Sequence, residues 1–385
     1  MRTQTEAGRV LQLARENTDA LFRLVKPGFL YERPIAERHR MIFYVGHLEA
    51  FDWNLIARYA LDLPAFEPEF DRLFAFGIDP PPGELPNDQP ADWPSMDQVQ
   101  SYVRRTREEI DGLIEEVPEQ LRHVAVEHRL MHAETLAYIL HQLPYGQKCT
   151  NGVSPTYDAA HPVERFIDIA EGAARLGLDP SEGFGWDNEF QPHTVRVSGF
   201  AVSQYKVTNG EYLAFVEQGA EAPYFWGGSA ERRTFRGMFA EYPLPLDAPV
   251  YCTQEEASRY AAWRGMRLPT EAEYHRASDN APPSRNANFN YWDPTPVTAD
   301  DDGSMRPMQM AGNGWEWTSS AFAPFPGFQP FPFYTNYSEP FFDGRHYVLK
   351  GASPRTAECF LRPSFRNWFR PSYPYVYATF RLVTS

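Results

Sequence analysis

The chain's 385 residues suffice for two domains of ~100 to 200 residues each, and 43 % hydrophobic with 15 % aromatic content supports a substantial core. A net charge of −15 argues against a nucleic-acid partner or an anionic membrane surface, both of which call for concentrated Lys and Arg. The charged N-terminus lacks a signal peptide's apolar core and nothing approaches ~18 apolar residues in a row, so no span is expected and cytoplasmic residence is the default.

Residues 5 to 26 read as a first helix, with Val10, Leu11, Ala14, Leu21 and Val25 in its apolar stripe and Pro27–Gly28 ending it. A second apolar-periodic segment, Ala36 to Leu61, carries His47 among Phe43, Tyr44, Leu48 and Phe51 and is closed by Pro64. Residues 61 to 94 then hold eight prolines together with many aromatics, which predicts an ordered loop packed on the helices. Ser95 and Gln98 form a candidate capping box for a third helix from Met96 to about Val117. After Pro118 a fourth helix runs to Leu143.

That fourth helix contains EHRLMHAETLAYILHQ, residues 127 to 142, with His128 and His132 four positions apart. At 3.6 residues per turn the two imidazoles share a face, close enough to hold one divalent metal. If the second helix packs alongside, His47 supplies a third neutral ligand and leaves coordination positions open. An H-x-x-x-H pair also arises by chance as ordinary core histidines. Four amphipathic helices with one long crossover predict a four-helix bundle over residues 1–150, with the metal ligands in its core.

From about Phe166 the texture changes to frequent Gly, Pro, Trp and Tyr. Only Gln254 to Arg264 and Glu271 to Ala277 look helical, and short alternating runs such as His193 to Val202 and Tyr347 to Lys350 predict strands. Residues 151–385 are therefore expected to form a loop-rich domain of mixed strands and short helices, giving an α+β chain overall. Cys149, Cys252 and Cys359 lie about a hundred residues apart, a spacing that makes neither a disulfide framework nor a zinc cluster.

Five strings occur in order in this half: YKVTNGEY from Tyr205, QEEASRYAAWRG from Gln254, RLPTEAEY from Arg267, NGWEWT from Asn313, and Lys350 to Ser353 leading to Phe380 and Arg381. Together they resemble the formylglycine-generating-enzyme/sulfatase-modifying domain, a C-type-lectin-like fold. The histidine-bearing half is similar to a DinB-type bundle. Fused in this order they resemble the EgtB family of non-haem iron sulfoxide synthases, including the selenoneine-making relatives called SenA. The resemblance implies Fe(II) held by His47, His128 and His132, and a reaction that uses O2 to join a thiol or selenium donor to the imidazole C2 of hercynine.

It also implies roles in the second half. Tyr334 aligns with the family's proton-donating tyrosine and Tyr337 stands beside it in FYTNYSE. Asn367 and Trp368 of RPSFRNWFRPSY match hercynine contacts, the indole meeting the quaternary ammonium by cation–π attraction. Arg366 and Arg370 are candidates for carboxylate recognition, and a structural role for Arg366 is an equal reading. Two departures bear on the donor. Relatives using γ-glutamylcysteine carry Asp after the Asn-Trp pair and Arg four further on, where this chain has Phe369 and Tyr373. Met131 replaces the family's glutamine that touches hercynine. Free cysteine or a selenosugar then fits better than γ-glutamylcysteine, with Arg104 and Arg105 as candidates for a donor carboxylate or as a solvated face. A formylglycine-generating oxidase is disfavoured because Cys359 stands alone near the C-terminal end. A non-catalytic lectin-like binder predicts no tight metal.

Overall fold

The computed structural model describes residues 6–78, 84–149, 155–157, 161–279 and 281–384. The chain separates into two compact units, Met1–Asn151 and Gly152–Ser385. Their fold is mixed α+β, helical first and strand-containing second. No helix is long and apolar enough to cross a membrane among the described residues.

The first unit is built from α1 (Glu6–Phe22), α2 (Met41–Asp52), α3 (Pro68–Phe76), α4 (Met96–Leu113) and α5 (Glu119–His141). Helix α1 packs on α5, and α2 packs on α3, α4 and α5, so α2 is central. Helix α1 stops earlier than its apolar stripe, because Val25 is drawn into an antiparallel bridge with Lys148. Helix α2 starts five residues later than expected. Arg40 holds an extended backbone at its N-cap while its guanidinium binds the Asp88 carboxylate at 2.9 Å. From Trp53 to Ala60 the helix widens to π geometry, a form that recurs near functional sites.

The proline-rich stretch departs most from expectation, because it contains α3. Pro68 occupies the first turn, where its missing N–H costs nothing, Glu69 and Asp71 complement the helix dipole, and Gly77 at φ 79° ends it. The predicted capping box of α4 forms: Ser95 N–H donates to Gln98 Oε1 at 3.0 Å, and Gln98 N–H donates to Ser95 Oγ at 3.4 Å.

In the second unit three short helices, α6 (Asn209–Glu217), α7 (Gln254–Trp263) and α8 (Glu271–Ser278), each begin with a Thr-x-x-Glu capping box, from Thr208, Thr253 and Thr270. The central sheet orders Asn367–Phe369, Tyr347–Ala352, Gly314–Ala321 and Ala378–Thr379, with the last pair parallel. A second sheet sets Phe200–Ser203 between Phe166–Ile169 and Val383–Thr384. The run expected as one strand from His193 to Val202 is two strands, His193–Val197 and Phe200–Ser203.

Three of the strings quoted above meet in this core. Lys206 Nζ lies 2.6 Å from Glu316 Oε1, and Arg381 Nε lies 3.0 Å from both Glu316 oxygens, all three side chains fully buried. Arg381 also donates to the carbonyls of Ser203 and Gln204, which satisfies its fork.

Candidate metal centre and its companion residues

His47 on α2 and His128 and His132 on α5 come together inside the first unit, with one ligand nitrogen from each lying within 4.8 Å of the others. His47 Nε2 is 3.2 Å from His132 Nε2. His47 Nδ1 is 2.7 Å from the Phe74 carbonyl, so Nδ1–H donates there and the Nε2 lone pair is left toward His132. The carbonyl comes from α3, the helix that sequence periodicity does not reveal. Two ring nitrogens at 3.2 Å match the edge of a coordination polyhedron whose metal–nitrogen bonds are ~2.0–2.1 Å long.

The rings are braced by aromatics. Phe51 stacks on His128 with centroids 3.4 Å apart at 9°, and Phe43 stacks on His47 at 4.7 Å and 27°. Burial keeps all three imidazoles neutral: His47 is lowered to about 4, and His128 and His132 are lowered well below the ordinary value, desolvation leading in each case. His132 Nδ1 is buried without a hydrogen bond. Three neutral nitrogen donors with no thiolate or carboxylate fit a first-row divalent cation such as ferrous iron.

That neutrality makes the metal-free bundle pH-sensitive, with a determined sign. Below ~6.5 the unfolded chain binds protons on these histidines that the fold refuses, so stability is complete above that pH and declines as pH falls toward 4. His47 alone contributes on the order of 2–3 kcal/mol over this window. Thermal melts of metal-free protein should be flat from pH 8 to 7 and fall steadily below 6.5. An unchanged midpoint at pH 5 contradicts buried neutral imidazoles. Direct protonation of the folded trio is pushed below the ordinary imidazole range.

Beside the trio lies a buried ion network that sequence reading missed. Arg129, fully buried between His128 and His132 in sequence, donates to Glu49 at 3.0 Å from two nitrogens and to Asp52 at 2.6 Å. Arg107 of α4 joins Glu49 to Asp19 of α1 at 2.8 Å each. Burial raises Glu49, but Arg129 and Arg107 outweigh it and hold the carboxyl at about 2. The network ties α2, α4, α5 and α1 together two residues from His47. The available signal was a pair of carboxylates inside an otherwise apolar helix.

In the second unit Tyr334 and Tyr337 sit on a turn running from Phe331 to Ser338, their rings 5.5 Å apart. Burial, then the nearby Asp187 charge, pushes the Tyr334 phenol up to about 12, so it keeps its proton at neutral pH. Trp368 stacks on Phe322 at 4.3 Å and 7°, and Tyr337 meets it edge-on at 5.4 Å. Asn367 Oδ1 accepts from the Trp368 N–H at 2.9 Å, and its side chain is partly buried.

Other candidates fall elsewhere. Arg366 is buried and spends its guanidinium on Glu271 at 2.9 Å and on the carbonyls of Ala323 and Asn188 at 3.1 and 3.2 Å, packed 4.0 Å over Phe325. Of its two readings, the structural one describes what this side chain touches. Arg370 is exposed. Arg104 and Arg105 stand on the exposed side of α4, whose buried residues are Val99, Tyr102, Thr106 and Ile110. Arg105 pairs with Glu67 and lies over Phe66. Met131 is partly buried on α5 between the two histidines in sequence.

A segment the sequence did not single out, Trp186 to Glu189, holds these groups in place and is almost wholly buried. The Trp186 ring is 4.3 Å from Tyr337 and 6.4 Å from Tyr334. Glu189 receives Arg362 at 2.6 and 2.8 Å and Ser364 at 2.7 Å. Its only sequence signal was polarity inside an aromatic run.

Residues 153–385 match the sulfatase-modifying factor enzyme 1-like domain, and residues 11–142 match the DinB superfamily. Fold and trio thus define a class, enzymes that join a DinB-type bundle to a sulfatase-modifying-factor-like domain. The hercynine oxygenase of Mycolicibacterium thermoresistibile is 31 % identical over 74 % of this chain and 74 % of its own, and that of Mycobacterium tuberculosis 35 % over 54 % and 58 %. Ergothioneine biosynthesis protein 1 of Neurospora crassa is 26 % identical over 92 % of this chain and 55 % of its own. The chain belongs to the hercynine oxygenase family. It spans little more than half the length of the Neurospora crassa and Mycobacterium tuberculosis relatives.

Proposed function

We propose that this protein is an O2-dependent ferrous enzyme that joins a thiol sulfur to C2 of the hercynine imidazole. The step balances with one oxygen atom entering the sulfoxide and the other leaving as water with the S–H and C2–H protons. Ferrous iron, when bound, supplies a site for a soft sulfur donor and the means to activate O2. The observation that carries this reading is the convergence of His47, His128 and His132 as neutral donors. His47 is fixed in tautomer by Phe74, as metal-binding histidines usually are by an outer partner. Trp368 offers an indole face for the quaternary ammonium.

Free cysteine is the donor this reading favours over γ-glutamylcysteine. Phe369 and Tyr373, at the positions where users of γ-glutamylcysteine carry a charge pair, stack on each other at 4.9 Å and 9° and present no ion for the γ-glutamyl group. The same aromatic pair supports a second reading, a selenosugar donor, because sugar faces stack on aromatic rings. Ferrous protein incubated with hercynine and, in separate arms, cysteine, γ-glutamylcysteine or a selenosugar, followed by mass detection and O2 uptake, tests both. No hercynine adduct in any arm despite bound iron rejects the proposal.

Tyr334 is assigned the proton delivery, since its phenol keeps its proton at neutral pH. Tyr334→Phe is expected to divert turnover from the hercynine adduct to oxidised thiol, with the ratio falling on the order of 10- to 100-fold. An unchanged ratio removes the tyrosine from the chemistry.

A further inference from the structure

We infer that Asp187 is a positioning residue that latches the Ser338 end of the Phe331–Ser338 turn and thereby sets Tyr334 and Tyr337 in place. The inference deepens the reading given above and rests on it for its chemical consequence. Ser338 Oγ donates to Asp187 Oδ1, across 151 residues of sequence, and both side chains are buried. The second carboxylate oxygen, Asp187 Oδ2, is buried without a hydrogen bond. Ahead of that anchor the turn is closed by Tyr334 N–H donating to the Phe331 carbonyl at 3.0 Å and Tyr337 N–H donating to the Tyr334 carbonyl at 3.2 Å. One acidic side chain therefore pins the end of the element that carries both tyrosines, immediately after Tyr337.

The clamp itself is anchored. Its neighbour Trp186 covers Tyr337, the Asn188 carbonyl accepts from Arg366, and Glu189 holds Arg362 and Ser364. Arg366 precedes Asn367 and Trp368 directly, so four consecutive residues register the tyrosine turn against the segment assigned to hercynine. Burial raises the Asp187 carboxyl above its ordinary range, and the hydrogen bond from Ser338 only partly offsets this. Such a buried carboxyl is retained at a cost, which a packing role alone does not explain.

The test uses the full chain with and without iron. In Asp187→Ala, and in Ser338→Ala should the first variant fold poorly, amide hydrogen exchange across residues 331–341 is expected to accelerate at least about tenfold while α7 and α8 stay protected. Product ratio should move as in Tyr334→Phe, with bond formation down on the order of 10- to 100-fold and the hercynine KM within about twofold. Asp187→Asn, which still accepts from Ser338, should recover most of both. Unchanged exchange in the turn overturns the inference. Accelerated exchange with an unaltered product ratio leaves the clamp standing and instead counts against the tyrosine's assigned role.

Discussion

His132→Ala is expected to abolish stoichiometric iron binding and to lower hercynine-dependent O2 uptake by well over the ~10- to 100-fold that loss of an outer-shell partner causes. The reasoning is local. Its Nε2 faces His47 Nε2 at 3.2 Å, and its neutral state is enforced by burial. Removing it leaves two donors from different helices. His132→Gln preserves volume and polarity but not the soft nitrogen, so the two variants should fail alike. Iron retained at one equivalent by His132→Ala, measured by metal analysis after gel filtration, rules out the trio as the centre.

The second large effect concerns stability. Arg129→Met is expected to cost ~3–5 kcal/mol of the first unit's stability, because Asp52 is left buried without its guanidinium and Glu49 keeps only Arg107. That is a large share of the ~5–15 kcal/mol by which ordinary domains are stable. Urea unfolding monitored by helicity reads the change. Iron affinity should fall with it, since Glu49 lies two residues from His47 on the same helix. The triple variant Arg129→Met, Glu49→Gln, Asp52→Asn removes the stranded charges and should recover part of the loss. A change below about 1 kcal/mol in the single variant shows that the network is not holding α2 on α5.

The trio was legible in sequence because a helix converts a spacing of four into a shared face, and because His47 sits in an apolar-periodic run of its own. The capping box of α4 was legible for a similar reason, being a contact between neighbours. Helix α3 was not. Eight prolines in 34 residues argued for a loop, yet Pro68 falls at the one helical position where proline is harmless. The commitment of Arg366 to Glu271, 95 residues away, is a long-range pairing that local pattern cannot encode. Asp187 was missed on the same ground, since its partner lies 151 residues downstream. What the family-like strings do locally became clear only with coordinates: two contain a helix N-cap, a third begins directly after one, and three contribute to one buried ion cluster.

The strand pairing of Val383–Thr384 with Phe200–Ser203 has a consequence for synthesis on the ribosome. Helices α1 to α5 have all emerged by residue 141, so the bundle can close early. The second half cannot: Lys206 and Glu316 wait for Arg381, and an inner strand waits for the last described residues of the chain. Until residues 381–384 have been made, one edge of Phe200–Ser203 stays unpaired and the Lys206–Glu316 pair lacks its second cation, leaving both open to chaperones and to self-association.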